Sequence, residues 1–379
     1  MKKTALYSSK TECSGCGACE NSCPKGIIEM VYDNEGFLYP NIIDKEACVG
    51  CNICEEVCPV KHSGEIESNF TKAYAGWRTD GRQVKSASGG MAQTLSEYII
   101  SLGGTVYGVK YADDWKSAEY VRGTDSEDIK LMRSSKYIQA SKGCIYKEIK
   151  KDLDSDIPVL FIGLPCDTFA VWKYLETSGC DKNPILVSLI CHGPTSQSVH
   201  TSFVEQIETE NNTKICGIDV RYKKNGKWKP YYIHAEFENG KKYLKKFEST
   251  DYDVAFANFK RPSCTDCRFK NNNFCADLLI GDFHSAMKGT DEYNPSGVST
   301  VLPLTKKGQE ILEIVGEEKF RLFDTDLNRS ISQKAIHSSV TSDINRTAFA
   351  DELHKNGLKA ACRNPDILAK KRKKKTISP

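Results

Sequence analysis

Two stretches of one pattern decide the N-terminal fold: Cys13-Ser-Gly-Cys16-Gly-Ala-Cys19-Glu-Asn-Ser-Cys23-Pro24 and Cys48-Val-Gly-Cys51-Asn-Ile-Cys54-Glu-Glu-Val-Cys58-Pro59. The second repeats the first, cysteine for cysteine. Three thiolates at this spacing converge on one 4Fe-4S cube when the turns between them are tight, and Ser14-Gly15 and Gly17-Ala18 allow such turns. The proline after each fourth cysteine turns the chain away, so Cys23 and Cys58 are each aimed at the opposite cube. The ligand sets read from the spacing are Cys13, Cys16, Cys19 and Cys58, and Cys48, Cys51, Cys54 and Cys23. A zinc reading needs four ligands per ion and has no use for a doubled Cys-x3-Cys-Pro ending.

This is the spacing of bacterial two-cluster ferredoxins. Between the runs, Gly36-Phe-Leu-Tyr-Pro40 reads as the short hairpin strand of such a module, and the polar stretch 61–68 closes it. A ferredoxin alone ends near residue 65. Here the chain runs on to residue 379, so the clusters are expected to feed something else.

Charge and composition exclude several classes. The 53 basic side chains exceed the 50 acidic ones by three, too little for a nucleic-acid-coating surface. Six bases crowd the C-terminus (Lys370, Lys371, Arg372, Lys373, Lys374 and Lys375), which read as a solvated tail. No apolar run approaches the ~18 residues of a membrane span. The start, MKKTALYSSK, lacks an apolar signal region, so a cytoplasmic location is expected. A reducing cytosol does not keep 17 cysteines as disulfides, which leaves metal or redox chemistry to explain them.

Past the head the pattern becomes α/β. Residues 91–101 and 147–153 have helical spacing, and 105–110 reads as a strand. The runs 157–163 and 185–190 are short, apolar and β-branched, as strands buried on both faces of a parallel sheet are. A helix at 168–177 between them makes a βαβ unit. Residues 214–222, 231–237 and 241–247 read as strands with a turn at Glu238-Asn239-Gly240, and 300–365 as a helical closing segment.

Both apolar strands end in cysteine: Gly163-Leu-Pro-Cys166-Asp167 and Ile190-Cys191-His192-Gly193. Ligands collect beyond the carboxyl ends of parallel strands, so two thiols at neighbouring ends are expected to lie close. Arg261-Pro-Ser-Cys264-Thr-Asp-Cys267 supplies two more, completing a four-thiolate set for a third 4Fe-4S cluster. The competing reading is a zinc knuckle of Cys264, Cys267 and Cys275. Cys275 and Cys144 are also candidate replacements within the cluster set.

Six motifs in fixed order, Ala87-Ser-Gly-Gly90, Ser135-Lys-Tyr137, Gly163-Leu-Pro-Cys-Asp167, Ile190-Cys-His-Gly193, Arg261-Pro-Ser-Cys-x2-Cys267 and Ala276-Asp-x3-Gly-Asp-Phe283, follow the doubled cysteine pattern. Together they resemble the family of beta subunits of deazaflavin (coenzyme F420) hydrogenases and dehydrogenases, which includes 7-hydroxymethyl chlorophyll a reductase. The resemblance implies an FAD-dependent iron-sulfur oxidoreductase with a cluster beside the flavin. It implies Ser88, Gly89 and Gly90 at the FAD pyrophosphate, before a helix whose dipole and amides suit it. Ser135, Lys136 and Tyr137 would meet a phosphate or the flavin edge. Gly281 and Asp282 would contact the flavin, although Asp282 also reads as a strand-end cap. His192 is the candidate proton donor, or a hydrogen-bond donor to cluster sulfur.

The expected organisation is a ferredoxin-like domain at 1–68, an α/β domain binding FAD and a 4Fe-4S cluster at 69–305, and a mainly helical segment with a basic tail at 306–379. Its expected function couples single electrons through three clusters to hydride transfer at FAD. The partners are a ferredoxin or other redox protein, and a small organic substrate or the deazaflavin coenzyme. The alternative is an electron-transfer subunit with no substrate of its own. No nickel-binding motif is present, so hydrogen activation is not expected here.

Overall fold

The doubled cysteine pattern folds as a small unit of short helices around one hairpin. In the computed structural model, residues 5–342 and 344–367 are described; the basic run 370–375 lies outside them. α1 (Ala18–Ser22), β1 (Ile28–Tyr32), β2 (Leu38–Ile42) and α2 (Ile53–Glu56) follow in order, with β1 and β2 antiparallel from Ile28↔Ile42 to Tyr32↔Leu38. Asp33 closes the hairpin by accepting from the amides of Glu35 and Phe37. The stretch 61–68 is tied to the body: the amide and hydroxyl of Ser68 both donate to the carbonyl of Asn272.

The body is built on an eight-stranded mixed sheet. Its first elements are β3 (Tyr74–Arg78), α3 (Met91–Ser101), β4 (Thr105–Tyr111), β5 (Ala118–Gly123), α4 (Ser126–Met132) and α5 (Ile145–Asp154). The βαβ unit read from sequence follows as β6 (Val159–Gly163), α6 (Pro165–Thr177) and β7 (Ile185–Leu189), and α7 (Gln197–Asn211) comes next. β8 (Ile215–Tyr222), β9 (Tyr232–Phe237) and β10 (Lys242–Lys246) make a separate antiparallel sheet, followed by α8 (Asp251–Asn258). The chain returns through β11 (Leu278–Asp282), β12 (Ser299–Pro303), α9 (Lys306–Glu318), β13 (Phe320–Asp324), α10 (Leu327–Ile331), α11 (Lys334–His337) and α12 (Arg346–Arg363).

The order of the large sheet is β13-β3-β12-β11-β7-β6-β4-β5. Its centre, β11-β7-β6-β4, is parallel and both flanks are antiparallel. The continuous apolar runs have the cause expected of them. On β6, Val159 and Phe161 enter one core while Leu160 enters another on the opposite face; on β7, Leu186 and Val187 divide the same way. β6 and β7 are parallel neighbours, Leu160↔Ile185 to Gly163↔Ser188, so the chain leaves both at the same sheet edge. Pro165 opens α6 at its first turn, three residues before the expected start, and this places Cys166 inside the helix.

The closing segment departs from expectation. Residues 299–303 and 320–324 are strands, and both pair antiparallel with β3, itself a strand outside those expected from the sequence. Every residue of Ser299–Pro303 is buried, so this strand carries no alternation to mark it. Among the described residues, no helix is long and apolar enough to cross a membrane.

Candidate functional site

The topology gathers twelve cysteines into three groups of four. Cys58 comes back beside Cys13, Cys16 and Cys19, near enough for all four thiols to influence one another electrostatically. Cys23, Cys48, Cys51 and Cys54 line a second pocket of about 420 Å³, counting space open to solvent. The first two groups adjoin, because Cys54 also lies within electrostatic reach of Cys19. Cys166, Cys191, Cys264 and Cys267 line a third pocket of about 690 Å³ on the same measure.

Each thiol of the third group has a local reason for its place. Cys166 sits in the first turn of α6, where the helix dipole favours a thiolate. Cys191 follows β7, and its sulfur accepts from the amide of Gly193 at 3.2 Å. That turn requires glycine: φ is +77° at Gly193, and a Cβ there would stand 3.2 Å from Cys264 Cβ. Cys264 and Cys267 occupy a 3-10 turn at Pro262–Asp266 and the residue after it. Cys275 is buried ahead of β11 and Cys144 is exposed at the start of α5; neither lines the third pocket.

The thiols suit a metal cluster. Burial pushes the Cys16 and Cys264 thiols up to about 12, and it also raises Cys13, Cys19, Cys166 and Cys267. Such groups hold protons until a metal displaces them. Backbone amides of Gly15, Ala18 and Phe269 point at the sulfurs of Cys13, Cys16 and Cys267, the hydrogen bonding that cluster sulfurs receive. Among the described residues no three donors close around a single metal ion; the thiols line pockets instead.

Buried cations surround the third pocket. Lys260 donates to the carbonyl of Gly193, and Lys270 to that of Cys191. Burial pulls Lys260 down to about 7 against the nearby Cys191 and Cys264 thiols. Lys142 pairs with Asp167 at 3.0 Å, both side chains being 3% exposed, and Asp167 also accepts from the Tyr120 hydroxyl at 2.8 Å. Arg261 and Lys142 line the pocket while also facing the first group.

The stretch 139–146 therefore has a role the sequence did not disclose. Gln139 donates to the carbonyls of Ser14 and Gly15, the Tyr146 hydroxyl donates to that of Cys16, and Gly143 accepts from Asn21. These bonds clamp the first cysteine loop of the head onto the body.

The residues expected at a flavin do not converge as one set. Ser88 donates its hydroxyl to the Val298 carbonyl just before β12 and also lies in hydrogen-bond contact with Asp282, while Gly89 donates its amide to the Ser299 hydroxyl. Gly90, with φ of +97°, caps α3 and packs against the stem of buried Arg78. Ser135 is half-buried in the loop after α4. Lys136 turns its ammonium to the carbonyls of Leu131, Arg133 and Ser134, and burial lowers it to about 7. Gly281 leaves room for Ile190, whose side chain a Cβ would meet at 2.7 Å. His192 lies just beyond β7, within electrostatic reach of Lys260, Lys270, His284 and Asp282.

Tyr137 and Asp282 do converge, through a residue that sequence reasoning missed. Arg221 on β8 donates to Tyr137 Oη at 2.7 Å, to Asp282 Oδ2 at 2.8 Å and to the Ala87 carbonyl at 3.1 Å. Its guanidinium lies 4.0 Å from the centre of the Tyr231 ring. Burial works against the Asp282 carboxylate, but Arg221 holds it below its ordinary value. Arg221 Nε is buried without a hydrogen-bond partner among the described residues. A cation within the strand sequence Ile-Asp-Val-Arg-Tyr was the available signal.

Residues 157–326 match the family described as the C terminus of the beta subunit of coenzyme F420 hydrogenase/dehydrogenase, and residues 12–62 match the 4Fe-4S dicluster domain. The chain is 24% identical over 321 residues to a coenzyme F420-dependent sulfite reductase of Methanocaldococcus jannaschii, covering 80% of this chain and 46% of that protein. It thus spans about half the length of that relative. It is 23% identical over 320 residues to the F subunit of F(420)H(2) dehydrogenase from Methanosarcina mazei, covering 81% of this chain and 83% of the other. A chain from the xenon-derivatised F420-reducing [NiFe] hydrogenase complex of Methanosarcina barkeri aligns with a TM-score of 0.49 and 21% identity, over 71% of this chain and 90% of that one.

Proposed function

We propose that this chain, whose residues 157–326 match the C-terminal part of coenzyme F420 hydrogenase/dehydrogenase beta subunits and whose residues 12–62 match the 4Fe-4S dicluster domain, relays electrons through three 4Fe-4S clusters to a flavin site. The observation that carries the reading is the serial arrangement of the three cysteine groups. Cys23, Cys48, Cys51 and Cys54 hold the outer cluster in this reading, and Cys13, Cys16, Cys19 and Cys58 the middle one. Cys166, Cys191, Cys264 and Cys267 hold the inner one. Bound clusters supply one-electron transfer, and bound FAD supplies conversion between single electrons and hydride.

The chain's own residues account for the rest. Gln139, Tyr146 and Asn21 fix the middle cysteine loop against the body. Arg221, Tyr137 and Asp282 are the polar set that would hold a flavin, and Arg221 Nε, which has no hydrogen-bond partner among the described residues, would be the donor offered to it. His192, within electrostatic reach of Asp282, is placed to move a proton. The hydride partner would be the deazaflavin coenzyme or a small organic substrate.

The outer group favours a second reading, an electron-transfer subunit serving a larger complex. Cys51 is exposed there, and Val49, which lines the same pocket, is 60% exposed, as an electron port for another protein requires. Anaerobic titration with reduced deazaflavin coenzyme separates the readings. Bleaching of cluster absorbance by stoichiometric reduced coenzyme supports hydride exchange on this chain. Bleaching by reduced ferredoxin alone, with no response to the coenzyme, supports the second reading.

A further inference from the structure

Arg261 is a buried cation with no counter-charge among the described residues. It is 1% exposed, and among the described residues no carboxylate forms an ion pair with it. All three nitrogens instead donate to neutral oxygens: Nε to the Cys13 carbonyl at 2.9 Å, Nη1 to Gln139 Oε1 at 2.7 Å and Nη2 to the Leu38 carbonyl at 2.9 Å. The guanidinium stacks 4.2 Å from the centre of the Tyr39 ring. Hydrogen bonds engage each of its nitrogens but leave its charge unbalanced, and a charge removed from water needs an opposite one.

The anions that lie to hand are the two cysteine groups. Arg261 reaches the Cys13 loop of the head with its side chain. Its own carbonyl accepts from the Cys264 amide at 3.0 Å, and its side chain lines the same pocket as Cys264. The head crowds it closely: a Cβ on Gly15 would stand 2.7 Å from Cζ. Four thiolates around a 4Fe-4S core leave a net negative charge, which grows by one on reduction.

We propose that Arg261 is a positioning and charge-balancing residue shared by the middle and inner clusters, its guanidinium being the counter-ion that stabilises the reduced form of both. This rests on the cluster assignment above. It goes beyond it in giving two clusters on different parts of the chain a common cation. The outer cluster, ligated by residues that Arg261 does not touch, is the internal control. In the step Arg261 assists, one electron leaves the middle cluster, which is oxidised, and enters the inner one, which is reduced; no proton or bond changes place.

The test is a redox titration followed by electron paramagnetic resonance on anaerobically purified full-length chain, with iron counted on each sample. Two variants remove the charge differently. Arg261→Gln deletes it, and Gln139→Glu cancels it by placing a carboxylate of the same shape on Nη1. Both should lower two of the three midpoint potentials and leave the third in place, and Arg261→Lys should restore most of the loss. Unchanged midpoints in iron-replete Gln139→Glu overturn the proposal, as does a uniform shift of all three. Wild-type protein lacking three cluster signals would instead overturn the cluster assignment, so the two failures are distinct.

Discussion

Replacing Lys142 with methionine would leave Asp167 as a buried carboxylate without its cation. The pair is 3.0 Å apart with both side chains 3% exposed, so water screens it little. At an effective dielectric of about 20 the attraction is about 5 kcal/mol. Removing the lysine also removes the cost of burying it, and Asp167 keeps the Tyr120 hydroxyl at 2.8 Å. Breaking such pairs costs about 3–5 kcal/mol in general, and the retained hydroxyl puts this case near ~3 kcal/mol. The second arm is Lys142→Met with Asp167→Asn, in which no buried charge is left. It should recover most of the loss, about 2 kcal/mol of it. Urea unfolding of anaerobic, iron-replete protein measures both. A single-variant loss under about 1 kcal/mol, or a double variant worse than the single, would refute the reasoning.

Other perturbations test separate parts of the account. Cys166→Ser exchanges a soft thiolate for a poor hydroxyl ligand and should remove about four irons while sparing the eight of the head; full iron content would dissociate Cys166 from the inner cluster. Gly15→Ala puts a Cβ at φ of +67° and 2.5 Å from Gln139 Nε2, and should cost at least ~1–2 kcal/mol in thermal unfolding; wild-type stability would mean the head is not clamped there. Arg221→Gln should abolish flavin retention with iron unchanged, read from flavin released on denaturation; normal flavin content would place the ring elsewhere. Asp282 is held below its ordinary 3.8, so its ion pair contributes fully above that pH and is lost as pH falls through the lower folded value. Asp282→Asn should therefore flatten the acid limb of stability below about pH 4, and an unchanged limb would deny the pairing.

What could be read from sequence was local. The cysteine runs specify their own turns, and the helix-period and β-branched stretches specify β6, α6 and β7, because each signal lies within about ten residues. The convergence of Cys166 and Cys191 followed from parallel neighbours ending at one sheet edge. The flanking strands were hidden for physical reasons. β3 carries Gly76, needed because a Cβ there would stand 2.3 Å from the Arg321 carbonyl, and β12 is buried at every position. The residues that join head to body were hidden more deeply. Gln139 contacts Ser14 across 125 positions and Arg261 contacts Cys13 across 248, and no pattern in one sequence encodes such pairs. The partners of Lys136 were equally out of reach of the sequence: its ammonium is taken up by the carbonyls of Leu131, Arg133 and Ser134 around the end of α4.

The central claim is that three clusters stand in series on one chain. Mössbauer spectroscopy with parallel iron and acid-labile sulfide assays on anaerobically purified protein tests it most directly. Three clusters require about twelve irons and twelve sulfides per chain, all in cubane environments. About eight of each would contradict it, as would eight irons with one zinc, because the group formed by Cys166, Cys191, Cys264 and Cys267 would then hold no cluster.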